Sequence, residues 1–231
     1  MSVTRSQHIP LVVTRRIDET PGYTSVFFER PRDFTYQAGD WVDIHFTGRT
    51  LRGGYTYSLS SSPLEPELRI TFKNGISEFK QALQSLKPGQ ELYISQFGND
   101  YRFQLKHHRA SLLIAGGVGV APFRSMLKTL YETHSADTVH LLYLNQTDDY
   151  LFQSELNEWA DSLPHVDVSY LTTKGLSRKK RERTIIERFK KGYDLVYISG
   201  PPSMVESTEH LTIDHGIDPR SIRIDSFGGY D

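Results

Sequence analysis

The stretch LLIAGGVGVAP (Leu112–Pro122) decides the fold. A continuous apolar run enters a glycine-rich turn, and the turn opens onto the helical pattern APFRSMLKTLYETH (Ala121–His134). An unbroken apolar strand is one buried on both faces, as in a parallel sheet with helices on either side. Gly116, Gly117 and Gly119 let the backbone approach a phosphate closely, and the helix start behind them favours negative charge. The spacing is not GxGxxG, so a purely structural turn remains open. Pro122 suits the first helical turn.

Downstream the pattern repeats. TVHLLYLN precedes DYLFQSELNEWADSL, VDVSYLTT precedes RTIIERFKK, YDLVYISG precedes SMVESTEHLTIDHG, and SIRIDSF reads as a last strand. Apolar runs alternating with helices predict a Rossmann-like parallel sheet with helices on both faces. Upstream the rhythm differs. PLVVTRRID, YTSVFFER, DWVDIHFT, GYTYSLSS, LRITFK and QELYIS are short strands separated by turn residues such as TPG, QAGD and KPGQ, which predicts an antiparallel β-barrel. One helix, SEFKQALQSL, interrupts them, with Ser77 as its N-cap and Phe79, Leu83 and Leu86 on one face. The expected division is residues 1–106 for the β domain and 107–231 for the α/β domain, a length that suits two small domains.

Composition excludes several classes. The net charge is −1, which gives no bulk attraction to nucleic acid or an anionic membrane. The 231 residues include no cysteine, which excludes disulfides, thiolate zinc sites and cysteine-ligated iron–sulfur clusters within them. No apolar run has the length of a secretory signal or a membrane span, so a soluble, cytoplasmic protein is expected. None of the nine histidines is spaced with carboxylates like a metal site, and no metal is assigned.

Two further stretches carry chemistry. In LRGGYTYSLSSSP (Leu51–Pro63), Tyr55 and Tyr57 are two apart and would share one face of a strand, with Thr56 and Ser58 on the other. In KNGISEF (Lys73–Phe79), a turn at Gly75 leads to the helix start at Ser77 beside a lysine, which suits an anion or a simple N-cap.

Taken in order, these motifs resemble the ferredoxin–NADP reductase-like flavoenzymes over about Pro10 to Tyr230. YTYSLSS resembles the family's Arg-x-Tyr-Ser flavin motif, NGISEF its flavin phosphate helix, and KPGQELYISQFGNDYRF the strand and loop that close its barrel. AGGVGVAPF resembles the nicotinamide dinucleotide loop, YISGPPSMV the late Cys-Gly-Pro-Pro segment, and IDSFGGY the terminal Glu-x-aromatic segment. The resemblance implies a flavin-binding barrel joined to an NAD(P)-binding domain. Tyr57 would stack on the isoalloxazine, and Ser58 would set its hydroxyl near nitrogen-5. FAD would also involve Arg52, Tyr55, Thr56, Lys73, Gly75, Ile76, Ser77, Phe227 and Tyr230. NAD(P) would involve Gly116, Gly117, Gly119, Pro122, Thr172, Lys174, Arg178, Gly200, Pro201 and Met204. Ser58, Ser199 and Asp225 would be the catalytic residues.

The chain departs from the family at three positions. Tyr55 stands where an arginine usually faces the flavin phosphates, Ser199 where many relatives have cysteine, and Asp225 where they have glutamate. A phenol cannot replace a charge-assisted bond to a phosphate. The basic run SRKKRER (Ser177–Arg183) follows the strand at which relatives hold adenosine. Lys174 and Arg178 would contact a 2′-phosphate, which leans the expectation to NADPH; the run also suits a solvated surface. The resulting expectation is an FAD-dependent NAD(P)H oxidoreductase passing electrons to a separate acceptor protein, with docking to a membrane redox partner possible and no nucleic acid. The alternatives are a free-flavin reductase and a non-catalytic nucleotide-binding module.

Overall fold

The computed structural model describes residues 5–53, 55–100 and 102–227. Six strands form the first unit: β1 (Arg5–Asp18), β2 (Tyr23–Glu29), β3 (Trp41–Phe46), β4 (Thr56–Ser58), β5 (Glu67–Lys73) and β6 (Glu91–Gly98). They pair antiparallel in the order β4-β3-β6-β1-β2-β5. An antiparallel bridge between Leu59 and Ile70, with the Ser60 amide on the Arg69 carbonyl at 2.8 Å, links the two edge strands and closes a barrel. Closure removes the open edges on which sheets aggregate. Alternation supplies the interior: Val42, Ile44 and Phe46 of β3 meet Leu92 and Ile94 of β6. Helix α1 (Glu78–Gln84) lays Phe79 and Leu83 on this core, and Ser77 caps it as its spacing predicts.

The second unit holds β7 (Ser111–Gly116), β8 (Val139–Asn145), β9 (Val166–Thr172), β10 (Leu195–Gly200) and β11 (Ile222–Ser226), all parallel, in the order β11-β10-β7-β8-β9. Helices α2 (Val120–Glu132) and α3 (Gln153–Ser162) cover one face, burying Leu113, Ala115, Tyr143 and Tyr197. Helices α4 (Arg178–Phe189) and α5 (Pro202–Asp214) cover the other, burying Leu112, Ile114, Leu142 and Ile198. Adjacent residues of one strand thus feed opposite cores, so the strand reads as unbroken hydrophobicity. The order reverses between β7 and β10, and such a switch point leaves a crevice at the carboxyl ends of the strands. Among the described residues no helix is long and apolar enough to cross a membrane.

The units meet along a polar seam. Arg124 of α2 donates to the Ser60 carbonyl at 2.7 Å, Ser125 to the Ser61 carbonyl at 2.6 Å, and Thr129 to the Ser62 hydroxyl at 3.2 Å. Ser60–Ser62 is therefore the strip of barrel against which α2 rests.

Candidate functional site

Glycines at the switch point bring the β7 and β10 loops into backbone contact. A Cβ on Gly119 would lie 2.3 Å from the Ser199 carbonyl oxygen, and one on Gly200 would lie 3.2 Å from the Gly116 Cα. Gly119 has an ordinary helical φ of −58°, so packing alone demands glycine there. The expected reason was approach to a phosphate; contact between the two loops is the reason the structure supplies. Pro122 is buried in the first turn of α2 and lines neither cavity of the crevice.

Two cavities of about 500 Å³ each meet at this point. The first lies between the units, against Thr56, Tyr57, Ser58, Lys73, Lys80 and Phe227. The second runs over the sheet, against Tyr23, Gly116, Gly117, Asn145, Arg181 and Met204. Lys73, Val118, Pro201 and Ser203 border both, which makes them one bent cleft. A third cavity, about 640 Å³, opens elsewhere at the seam around Arg69, Arg124 and Phe152. Its two buried guanidinium groups are already paired, Arg124 with Glu65 and Glu155, Arg69 with Glu19.

A polar contact at the edge of the first cavity joins both units. Ser58 of β4 donates to an Asp225 oxygen of β11 at 3.0 Å. Burial pushes the Asp225 carboxyl up to about 6, with the negative charge of Asp100 adding to the rise and the Ser58 bond opposing it. Ser199 is in register with Asp225, is fully buried, and its hydroxyl has no partner among the described residues. An unsatisfied buried hydroxyl in register with a carboxyl that burial raises makes this a candidate functional place. The three expected catalytic residues thus converge, although they are far apart in the chain.

The expected flavin residues divide. Tyr57 is buried against Phe72 and Phe79, yet lines the first cavity. Tyr55 is 42 % exposed and its ring rests on His45 at 4.8 Å, so the two tyrosines do not share a face. The cause is local: β4 begins only at Thr56, so its alternation does not extend back to Tyr55. Thr56 reaches Asp43 at 2.5 Å. The exposed Arg52 uses its backbone amide, not its guanidinium, on Glu78 at 3.2 Å. Ile76 is 86 % exposed, and the Ser77 hydroxyl is taken by its cap bond to the Lys80 amide. Lys80, which sequence reading missed, crosses over Gly75, where a Cβ would lie 2.6 Å from its chain. Gln84 fixes that turn through the Gly75 carbonyl at 2.9 Å. Phe227 lines the first cavity; Tyr230 lies outside the described residues.

The expected NAD(P) residues also divide. Gly116, Gly117, Pro201 and Met204 line the second cavity. Thr172 instead bonds the Tyr150 hydroxyl at 2.9 Å, and Lys174 uses its backbone amide on Gln146. The basic run forms the first turns of α4, capped by Ser177. Helical phase turns Arg178 outward to Glu182 at 2.6 Å and brings Arg181 to the cleft. With Lys174 and Arg178 away from the second cavity, the lean to NADPH loses its basis.

The fold is the two-domain fold of the ferredoxin–NADP reductase type. Residues 113–210 match the oxidoreductase NAD-binding domain family. The chain is 25 % identical over 213 residues to the sulfhydrogenase 2 subunit gamma of Pyrococcus furiosus, covering 84 % of this chain and 73 % of that one. It is 24 % identical over 221 residues to the toluate 1,2-dioxygenase electron transfer component of Pseudomonas putida, covering 92 % of this chain and 65 % of that one. The chain thus spans less than two thirds of the second relative. The ferredoxin–NADP+ reductase of Plasmodium falciparum superposes with a TM-score of 0.79 at 19 % identity, covering 96 % of this chain and 97 % of that one.

Proposed function

We propose that the protein is an FAD-dependent NAD(P)H oxidoreductase that hands electrons to a separate redox partner. The observation that carries this reading is the Ser58–Asp225 bond, which fixes a hydroxyl from the barrel in a cleft formed with the nucleotide-binding sheet. The first cavity fits a flavin. It has aromatic rings at Tyr57 and Phe227, a hydroxyl for a polar ring edge, and Lys73 and Lys80 for phosphates, with no carboxylate in its lining. When bound there, FAD would supply the redox chemistry between a nicotinamide and the acceptor.

The residues do the rest. Tyr57 and Phe227 hold a planar ring, Asp225 holds the Ser58 hydroxyl at the edge of the cleft, and the buried Ser199 hydroxyl lies behind the switch point, in register with Asp225. The glycine contacts hold the two loops of the switch point against each other. A carboxyl near 6 is also suited to hold or release a proton near neutrality. These residues offer no thiolate for a cluster, which supports an acceptor lying outside them. The similarity to a dioxygenase electron transfer component favours an oxygenase-type acceptor.

The exposed, neutral Tyr55 favours a second reading, a reductase that takes flavin as a substrate. The test is the visible spectrum of the purified protein before and after extensive dialysis, followed by anaerobic NADH and NADPH in separate samples. A retained yellow colour bleached by either nucleotide supports the proposal. Colour lost on dialysis, with continued reduction of added flavin, supports the second reading. A protein that takes up no flavin overturns both.

A further inference from the structure

Four rings stand in a row across the outside of the barrel. His8 of β1 stacks on Tyr93 of β6 at 3.7 Å and 19°, Tyr93 on His45 of β3 at 5.4 Å and 24°, and His45 meets Tyr55 at 4.8 Å and 35°. The strands are neighbours in the sheet, and the rings alternate with core residues: Ile44 and Phe46 flank His45, Leu92 and Ile94 flank Tyr93. Nothing in the barrel core requires them. The row ends at Tyr55, whose ring is backed by His45 yet remains 42 % exposed.

That end adjoins the cleft. Thr56, the next residue, lines the first cavity together with Lys73 and Lys80. The loop holding Arg52 and Gly53 lies against the start of α1: the Phe79 amide bonds the Arg52 carbonyl at 3.1 Å, and a Cβ on Gly53 would lie 3.0 Å from the Ser77 hydroxyl. A molecule with its phosphates at the lysines therefore has a flat, neutral ring one loop away. A guanidinium there would grip phosphate; a backed phenol offers stacking area instead.

We infer that Tyr55, supported by the His45–Tyr93–His8 row, is the seat of the adenine of FAD, so that this chain holds the adenylate half by stacking where charge is missing. The inference rests on the proposed flavin function. Stacking on a rigid, backed aromatic is tolerant of the base and is lost on truncation to alanine.

The experiment is equilibrium binding of FAD and, separately, FMN to the flavin-depleted full chain, followed by flavin fluorescence. Tyr55→Ala weakens FAD about tenfold and leaves FMN within about twofold, because FMN lacks adenine. Tyr55→Phe retains FAD affinity, and His45→Ala weakens FAD by a few-fold through loss of the backing ring. Equal losses for FAD and FMN in Tyr55→Ala, or no loss for either, overturn the inference while leaving the flavin function standing. A wild-type chain that binds neither flavin overturns the function and the inference together.

Discussion

Ser58, near the end of the barrel's shortest strand, donates a 3.0 Å hydrogen bond to Asp225, 167 residues later on the edge strand of the parallel sheet. One bond thus couples the alignment of the two units to the orientation of a hydroxyl in the cleft between them.

Asp225 is expected to cost stability in exchange for that orientation. Its folded carboxyl sits near 6, above its ordinary 3.8. Between about pH 4 and 6 the folded chain keeps a proton that the unfolded chain releases, so this group makes stability fall as pH rises through the window, and the loss is complete above it. Asp225→Asn removes the charge but keeps an acceptor for Ser58. The variant should gain on the order of 1 kcal/mol at pH 7.5 in urea unfolding and lose about tenfold in the rate of reduction by nicotinamide.

His140 works in the opposite sense. It is 3 % exposed, with Tyr193 at 3.0 Å on one ring nitrogen and Ser169 at 3.0 Å and Asp167 at 3.1 Å on the other. Burial pulls it down to about 4, with Asp167 opposing and Lys191 and Arg188 assisting. Between pH 6.5 and 4 the unfolded chain takes up a proton that the folded chain refuses. Stability therefore falls on acidification through this window, by on the order of 2 kcal/mol. Thermal unfolding from pH 7 to 4.5 should show this fall, and His140→Gln should flatten it.

Gly119→Ala tests loop packing without backbone strain. The added methyl meets the Ser199 carbonyl, which is backbone and cannot swing aside. The variant should be about 1–3 kcal/mol less stable by denaturant titration and should bind nicotinamide nucleotide more weakly. Unchanged stability and binding would show that the two loops do not need this contact.

Arg181 and Arg178, three apart on α4, should behave differently. Arg181→Ala should weaken NAD(P)H binding about tenfold, whereas Arg178→Ala, whose guanidinium is occupied by Glu182, should change it by less than about twofold. Nucleotide titration followed by tryptophan fluorescence checks both.

These two arginines also show where sequence reading reaches its limit. The parallel sheet was legible because β7, β8 and β10 are buried on both faces and read as unbroken apolar runs. The convergence of Ser58, Ser199 and Asp225 came through motif order in the resemblance. Choosing within the basic run required knowing that it was helical and in which phase. Tyr55 and Tyr57 were assigned one face because alternation was extended past the start of a three-residue strand. Lys80 looked like an ordinary helix residue until its chain was seen to cross Gly75. Nothing local in the serine run Ser60–Ser62 points to α2, which it meets and which lies more than 60 residues away.

The most direct measurement is anaerobic rapid mixing of the FAD-loaded protein with NADH or NADPH, each with hydrogen or deuterium at the transferable position of carbon-4. The account predicts that the flavin's visible band bleaches with at least one nucleotide and that deuterium slows the bleaching. A band that keeps its full height under saturating amounts of both nucleotides would contradict it.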